Sequence, residues 1–442
     1  MPDTPPPSTA PPATAPLSTA LLTDRYELTM LAAALRSGAA SRPAVFEVFA
    51  RRLPEGRRYG VVAGTGRLLD AIAAFRFDDG VLEHLAAERV VDDAALEHLA
   101  GYAFTGDVDG YAEGELYFPG SPVLTVSGTF ADAVVLETLA LSVLNHDSAV
   151  ASAAARMVSA ANGRPLVEMG SRRTHELAAV AAARAAHLAG FAATSNLEAG
   201  RRYGVPTSGT SAHSFTLAHE SEAAAFRAQV EALGVGTTLL VDTYDIAEGI
   251  RTAVEVAGPQ LGAVRIDSGD LAVLAHQTRQ QLDALGATST RVVLSGDLDE
   301  HALAALAAAP VDSYGVGTSV VLGSGAPTAG MVFKLVEADG RPVAKRSESK
   351  VSLGGRKTAV RRHRSSGTAT EEVVSAAGAP EPQPGDRALQ VPLLRGGRPV
   401  EGLPSLQDSR EHLRAALVTL PWQGLALSRG EPAIPTTHLA RD

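Results

Sequence analysis

At 442 residues the chain is too long for one hydrophobic core, so at least two domains are expected. A formal net charge of −10 without any basic block excludes general nucleic-acid or anionic-membrane binding; polyanions would be met only by local arginines, loop amides and metal ions. The absence of cysteine excludes disulfides, thiolate metal sites and a thiol nucleophile, and it suits a reducing cytoplasm, the expected location.

Residues 1–16 are almost wholly Met, Pro, Ala, Thr and Ser with a single Asp, and read as a disordered tail rather than a signal peptide. Leu21 to Leu35 reads as a helix, with Asp24 as N-cap and Leu28, Leu31 and Leu35 on one face. Val45 to Phe49 alternates as a strand, and Gly110 to Val126 reads as several short strands. An alanine-rich helical stretch runs from Phe130 to Ala161. No uninterrupted apolar run approaches the ~20 residues of a membrane helix.

The middle of the chain is rhythmic. Strand tips fall near Met169, Ala193, Thr207, Val241, Ile266, Leu294 and Val316, the last four spaced 25, 28 and 22 residues apart. That spacing suits one strand-loop-helix unit, and the intervening helical segments end in glycines such as Gly234 and Gly286. Such order implies parallel strands with right-handed crossovers. The expected fold class is α/β: an irregular TIM-like barrel over residues 151–336, beside a discontinuous α+β domain built from 17–150 and 337–442. After Val332 the rhythm stops: Val332 to Val336 and Pro342 to Val351 read as strands, Ser375 to Asp386 as a loop, and Leu403 to Leu420 as a helix with Asp408 as N-cap.

The polar residues at the tips carry the chemistry. Gly209-Thr210-Ser211-Ala212-His213-Ser214 sets an imidazole among small residues, and Val264-Arg265-Ile266-Asp267-Ser268-Gly269-Asp270 supplies an arginine and two carboxylates. In α/β barrels catalytic groups stand at the carboxyl ends of strands. Ser295-Gly296-Asp297 and Gly315-Val316-Gly317-Thr318 end the last two strands of the rhythm, where barrel loops often cradle a phosphate. Neither is a Rossmann or Walker fingerprint, and Gly64-Thr65-Gly66 reads as a turn. Asp270 suits a helix cap as well as a ligand contact.

These stretches, in order with Thr23-Asp24-Arg25-Tyr26-Glu27-Leu28-Thr29-Met30, Phe46-Glu47-Val48-Phe49, Glu168-Met169-Gly170-Ser171-Arg172-Arg173 and Lys345-Arg346-Ser347-Glu348-Ser349-Lys350, resemble the nicotinate phosphoribosyltransferases from Leu22 onward. Arg25 and Glu27 depart from the apolar residue and glutamine common in the first motif. The resemblance implies transfer of a phosphoribosyl group from 5-phosphoribosyl 1-pyrophosphate to the nicotinate ring nitrogen, releasing pyrophosphate, with Mg²⁺ and with ATP hydrolysis coupled through a phosphohistidine.

On that resemblance His213 is the phosphate acceptor; its orienting carboxylate is expected to be Glu168, from its place on the adjoining tips. Arg265 meets the nicotinate carboxylate or the pyrophosphate, Arg172 the phosphates, and Asp267 the ribose hydroxyls or Mg²⁺. Ser295, Gly296, Gly315, Gly317 and Thr318 hold the 5′-phosphate, and Thr210 contacts nicotinate. Tyr26 crosses from a neighbouring subunit to stack on the pyridine, implying a homodimer with its active site at the interface. Nicotinamide-using relatives carry an aspartate where Ser195 stands; a serine there favours nicotinate over nicotinamide. The alternatives are a nicotinamide or quinolinate phosphoribosyltransferase, and a catalytically silent barrel that binds phosphoribosyl compounds.

Overall fold

A computed structural model describes residues 18–345 and 353–439, so the Pro-rich tail and most of the Lys345–Lys350 motif lie outside the described residues. The chain opens with helix Arg25–Ser37, which turns Leu28, Leu31 and Ala34 inward and stops at Gly38, whose φ of 75° suits glycine. Asp24 stands at its N-cap without a side-chain capping bond.

Strand Pro43–Ala50 follows and pairs antiparallel with Leu124–Thr129 on one side and Met331–Ala338 on the other. The sheet continues through Asp107–Tyr111 to Gln390–Arg395, so strands from both ends of the sequence share it. Phe46 stacks on Phe333 of strand Met331–Ala338, with ring centroids 4.9 Å apart. This antiparallel sheet therefore takes up Met331–Ala338, whose first six residues fall within the 151–336 span expected for the barrel.

The rhythm of tips becomes one parallel sheet with spatial order Ala193–Thr194, Leu166–Glu168, Ser313–Val316, Arg291–Gly296, Ala263–Ile266, Thr238–Leu240. The seventh tip, Thr207, is an isolated parallel bridge to Thr194 at one edge. Six strands and one bridge make a curled half-barrel. Its core is aliphatic, from Leu166, Leu239, Val264, Val292, Leu294 and Val316. Every tip opens on the same face, because parallel strands all end on one side.

Helical expectations needed two corrections. Phe130 to Ala161 is two helices, Phe130–Val134 and Glu137–Ala160. The second is continuous through both cores: Leu139 and Leu144 pack with the antiparallel sheet, Val150, Ala154 and Met157 with the half-barrel. The late helix is Leu406–Thr419, and its N-cap is Ser405; Asp408 is the reciprocal partner of a capping box. That helix packs on both the barrel and the early segment, where His412 bonds Glu115 at 2.9 Å. Leu413 and Ala416 join the half-barrel core, and Arg410 donates to the carbonyls of His187, Gly190 and Phe191 at the end of helix Glu176–Ala189.

Of the expected strand from Pro342 to Val351, only Arg341–Pro342 is seen as strand; residues 346–351 lie outside the described residues. The remaining C-terminal strands form a small sheet of Thr358–His363, Ala369–Ser375, Arg387–Ala388 and Thr436–Leu439.

Candidate active site at the mouth of the half-barrel

The strand tips converge on a cavity of about 560 Å³. Arg172, Ser195, Thr210, Arg265, Asp267, Ser295, Gly296, Gly315, Gly317 and Thr318 all line it. Arg173 and Asp297 add one more charge of each sign, so three arginines face two aspartates. Met169 is the only large apolar side chain in this wall. A cavity so composed favours an anionic ligand.

Arg265 enters on strand Ala263–Ile266, which carries it to the tip with apolar neighbours on either side. Its Nη1 donates to Thr210 Oγ1 at 2.5 Å, while its Nε is buried without a partner. Burial draws its pKa down, and Asp267 and Asp242 oppose that fall. A permanent cation with unused donors remains at the cavity wall.

Asp267, two residues on, accepts a hydrogen bond from Ser295 Oγ. Asp270 caps helix Leu271–Ala284 through Val273 N at 3.3 Å, so the capping role holds for that residue. The late loops need their glycines. A Cβ on Gly315 would lie 2.6 Å from Met169 Sδ, and Gly296 sits at φ 133°.

His213 begins the short helix His213–Leu217, directly after cavity-lining Ala212. Its carboxylate partner is Asp242, with Nε2 to Oδ1 at 3.1 Å. Glu168, expected to orient it, instead accepts bonds from Thr194 Oγ1 and Gly170 N. Asp242 follows the Val241 tip just as Asp267 follows Ile266, and that position is the sequence signal for it. Its other oxygen receives Asp267 N and Ser268 Oγ, each at 2.9 Å.

Tyr26 is not in this wall. It stands 44% exposed on the first helix, outside the buried face formed by Leu28 and Leu31. Burial and the neighbouring Glu137 push its hydroxyl up to about 12.

A half-barrel whose mouth collects arginines, hydroxyls and glycine turns defines an α/β enzyme for a phosphorylated, anionic substrate. Residues 21–145 match the nicotinate phosphoribosyltransferase N-terminal domain, and residues 165–368 match the nicotinate phosphoribosyltransferase family. The chain is 64% identical over 428 residues to nicotinate phosphoribosyltransferase pncB1 of Mycobacterium tuberculosis, covering 94% of each. It is 33% identical to the human nicotinate phosphoribosyltransferase, covering 90% of this chain and 91% of that one.

The crystal structure of human nicotinic acid phosphoribosyltransferase superposes with a TM-score of 0.82 at 29% identity, covering 94% of this chain and 97% of that chain. A nicotinate-nucleotide pyrophosphorylase from Pyrococcus furiosus shares the fold, with a TM-score of 0.77 at 24% identity over 92% of this chain and 98% of its own. The chain belongs to the nicotinate phosphoribosyltransferase family. Its activity is that of a nicotinate phosphoribosyltransferase in NAD biosynthesis.

Proposed function

We propose that the cavity joins nicotinate to 5-phosphoribosyl 1-pyrophosphate with coupled ATP hydrolysis, through a phosphorylated His213. The single observation that carries this reading is the convergence of Arg265, Asp267, both late glycine loops and the His213 segment on one mouth. The pyridine nitrogen already has a free lone pair, so no base is needed to make the nucleophile. The barrier lies in breaking the bond at C1, where positive charge grows on the sugar and negative charge on pyrophosphate. Catalysis is then a matter of alignment and electrostatics.

In this reading Arg265 holds the nicotinate carboxylate or the adjacent pyrophosphate, Arg172 the phosphates, and Asp267 the ribose hydroxyls. Ser295, Gly296, Gly315, Gly317 and Thr318 take the 5′-phosphate, and Ser195 and Thr210 face nicotinate. Neutral imidazole is a competent nucleophile near pH 7. His213 attacks the γ-phosphorus of ATP, ADP leaves, and water later releases the phosphoryl group. Asp242 holds the ring and stabilises its charge as the N–P bond forms.

Mg²⁺ fits as an ion carried by substrate phosphates. No cluster of three or more His, Asp or Glu suited to a metal occurs among the described residues, yet Asp267 and Asp297 offer carboxylates beside the arginines. Mg²⁺ is commonly held by one or two carboxylates plus phosphates, and it would neutralise charge on the leaving pyrophosphate.

The working unit in this reading is a homodimer with Tyr26 reaching a partner's pyridine site. Large apolar side chains support it, standing exposed where chain follows the strand tips: Leu177, Leu197 and Tyr244 are 59%, 77% and 61% exposed. The division into a barrel of 151–336 and a discontinuous domain of 17–150 with 337–442 belongs to the same reading, supported by the shared antiparallel sheet. So does cytoplasmic residence, with no membrane-crossing helix among the described residues.

Turnover of labelled nicotinate against nicotinamide, with and without ATP, tests the proposal. The expected result is nicotinate mononucleotide with ADP and pyrophosphate, and a phosphorylated imidazole at residue 213 by mass spectrometry. Preference for nicotinamide, or indifference to ATP, would overturn it.

A further inference from the structure

Glu168 is a buried carboxyl that the reaction as derived leaves without a task. It is 1% exposed at the end of strand Leu166–Glu168, and burial raises its pKa. A lone carboxyl at such a position is costly unless fully hydrogen-bonded. Both oxygens are used: Oε1 accepts Gly170 N, and Oε2 accepts Thr194 Oγ1 at 2.5 Å.

Those two partners begin different walls of the cavity. Gly170 opens the turn bearing Arg172 and Arg173; Thr194 precedes Ser195. The walls are tied again by Ser195 N to Glu168 O at 2.8 Å and by Asn196 Nδ2 to Ser171 Oγ at 3.0 Å. Asn196 N also donates to Thr194 Oγ1, at 3.0 Å. Thr194 is further bonded through its backbone to Pro206 and Ser208, at the root of the segment that carries Thr210. Gly170 leaves no slack, since a Cβ there would lie 2.2 Å from Val321 Cγ1 and 2.9 Å from Glu168 Oε1.

We propose that Glu168 is a positioning residue whose carboxyl braces the arginine-bearing turn against the Ser195 wall, fixing the alignment of the pyridine with the sugar donor. This rests on the reading that Ser195 faces nicotinate and Arg172 the phosphates. Each substrate has its own contacts, so loss of the brace spares separate binding and harms their mutual alignment. Misplacement on the order of 1 Å costs about 10²-fold in rate.

The test is steady-state kinetics on the full-length enzyme. Glu168→Ala is expected to lower kcat by about 10²-fold while both substrate KM values stay within about threefold of the parent. Glu168→Gln keeps the shape: its oxygen accepts Gly170 N–H and its amide donates to Thr194 Oγ1, so most of kcat returns. Thr194→Val, which deletes one partner at constant volume, reproduces the kcat loss in milder form should Glu168→Ala fail to fold.

Parental kcat in Glu168→Ala or Thr194→Val, a uniform rise in every KM, or equal loss in the Ala and Gln variants would each overturn the brace. Ser195→Ala and Arg172→Ala separate the two levels. If both leave all constants parental, the substrate placement fails and the brace falls with it. If they impair the enzyme while Glu168→Ala does not, only the brace fails.

Discussion

His213 and Asp242 meet across the opening of the half-barrel, 3.1 Å apart, one beyond the Thr207 bridge and the other just after strand Thr238–Leu240. The two edges of the parallel sheet that no strand joins are thus tied by a side-chain bond. The Asp242 carboxylate is 1% exposed while the imidazole is 40% exposed, so the carboxylate is fixed and the ring reaches outward.

That geometry makes Asp242 the ring's orienting partner. His213→Ala is expected to abolish stimulation by ATP and leave slow, uncoupled nicotinate turnover. Asp242→Asn is expected to weaken the stimulation by about 10²-fold or more, because the amide no longer holds the ring or its charge. Rates with and without ATP check both, and full stimulation in either variant would reject the assignment.

Arg265 is expected to supply transition-state stabilisation through donors that no described residue saturates. Arg265→Ala should cost about 2–4 kcal/mol in kcat/KM if it meets developing charge. Lysine should restore little, since the bidentate fork is lost. Unchanged kinetics in the alanine variant would remove Arg265 from the site.

Ser195→Asp should turn the wall against an anion. A carboxylate facing the nicotinate carboxylate is expected to reduce kcat/KM for nicotinate by at least about tenfold, with a smaller effect on nicotinamide. The ratio of the two values is the readout, and an unaltered ratio would exclude Ser195 from pyridine selection.

Mixing experiments address Tyr26. Tyr26→Ala and His213→Ala are each expected to be defective alone, but a heterodimer of the two would carry one intact site if the tyrosine acts in the neighbouring subunit. Recovery of ATP-stimulated turnover on co-refolding is the expected outcome. No recovery, with heterodimers demonstrated by native mass spectrometry, would confine Tyr26 to its own chain.

Acid should act through a buried cluster outside the cavity wall. Burial opposes the charge on Glu115, but His412, Arg361 and Arg387 outweigh it and hold the carboxyl well below its ordinary range. The unfolded chain therefore takes up the proton first. The stability from this cluster is complete above about pH 4.3 and is lost as the pH falls further. Glu115→Gln removes one of the two carboxylates that pair with the fully buried Arg361, Glu372 being the other, and is expected to cost about 1–3 kcal/mol at neutral pH. It should also flatten the acid limb of a denaturation curve measured against pH; an unchanged limb would assign acid lability elsewhere.

Local pattern made the strand tips legible: runs such as Val264-Arg265-Ile266 before Asp267 announce a buried strand and its polar end. Pairing across the mouth was not legible. Asp242 lies 29 residues from His213 and Glu168 lies 45 before it, and no periodicity says which carboxylate the imidazole meets. The docking of helix Leu406–Thr419 was hidden for a similar reason. An amphipathic stripe declares that it will be buried, but does not say against which core. Ser405 and Asp408 are equally suited to an N-cap by residue type, and only the reciprocal bonds decide.

Helix Glu137–Ala160 is one rigid rod with its first half in one apolar core and its second half in the other. Melting either half would fray the other, since helix propagation is cooperative. The two bodies are thereby coupled in denaturation, and calorimetry should record a single endotherm. No limited digest should release either body intact, for want of a slack tether to cut.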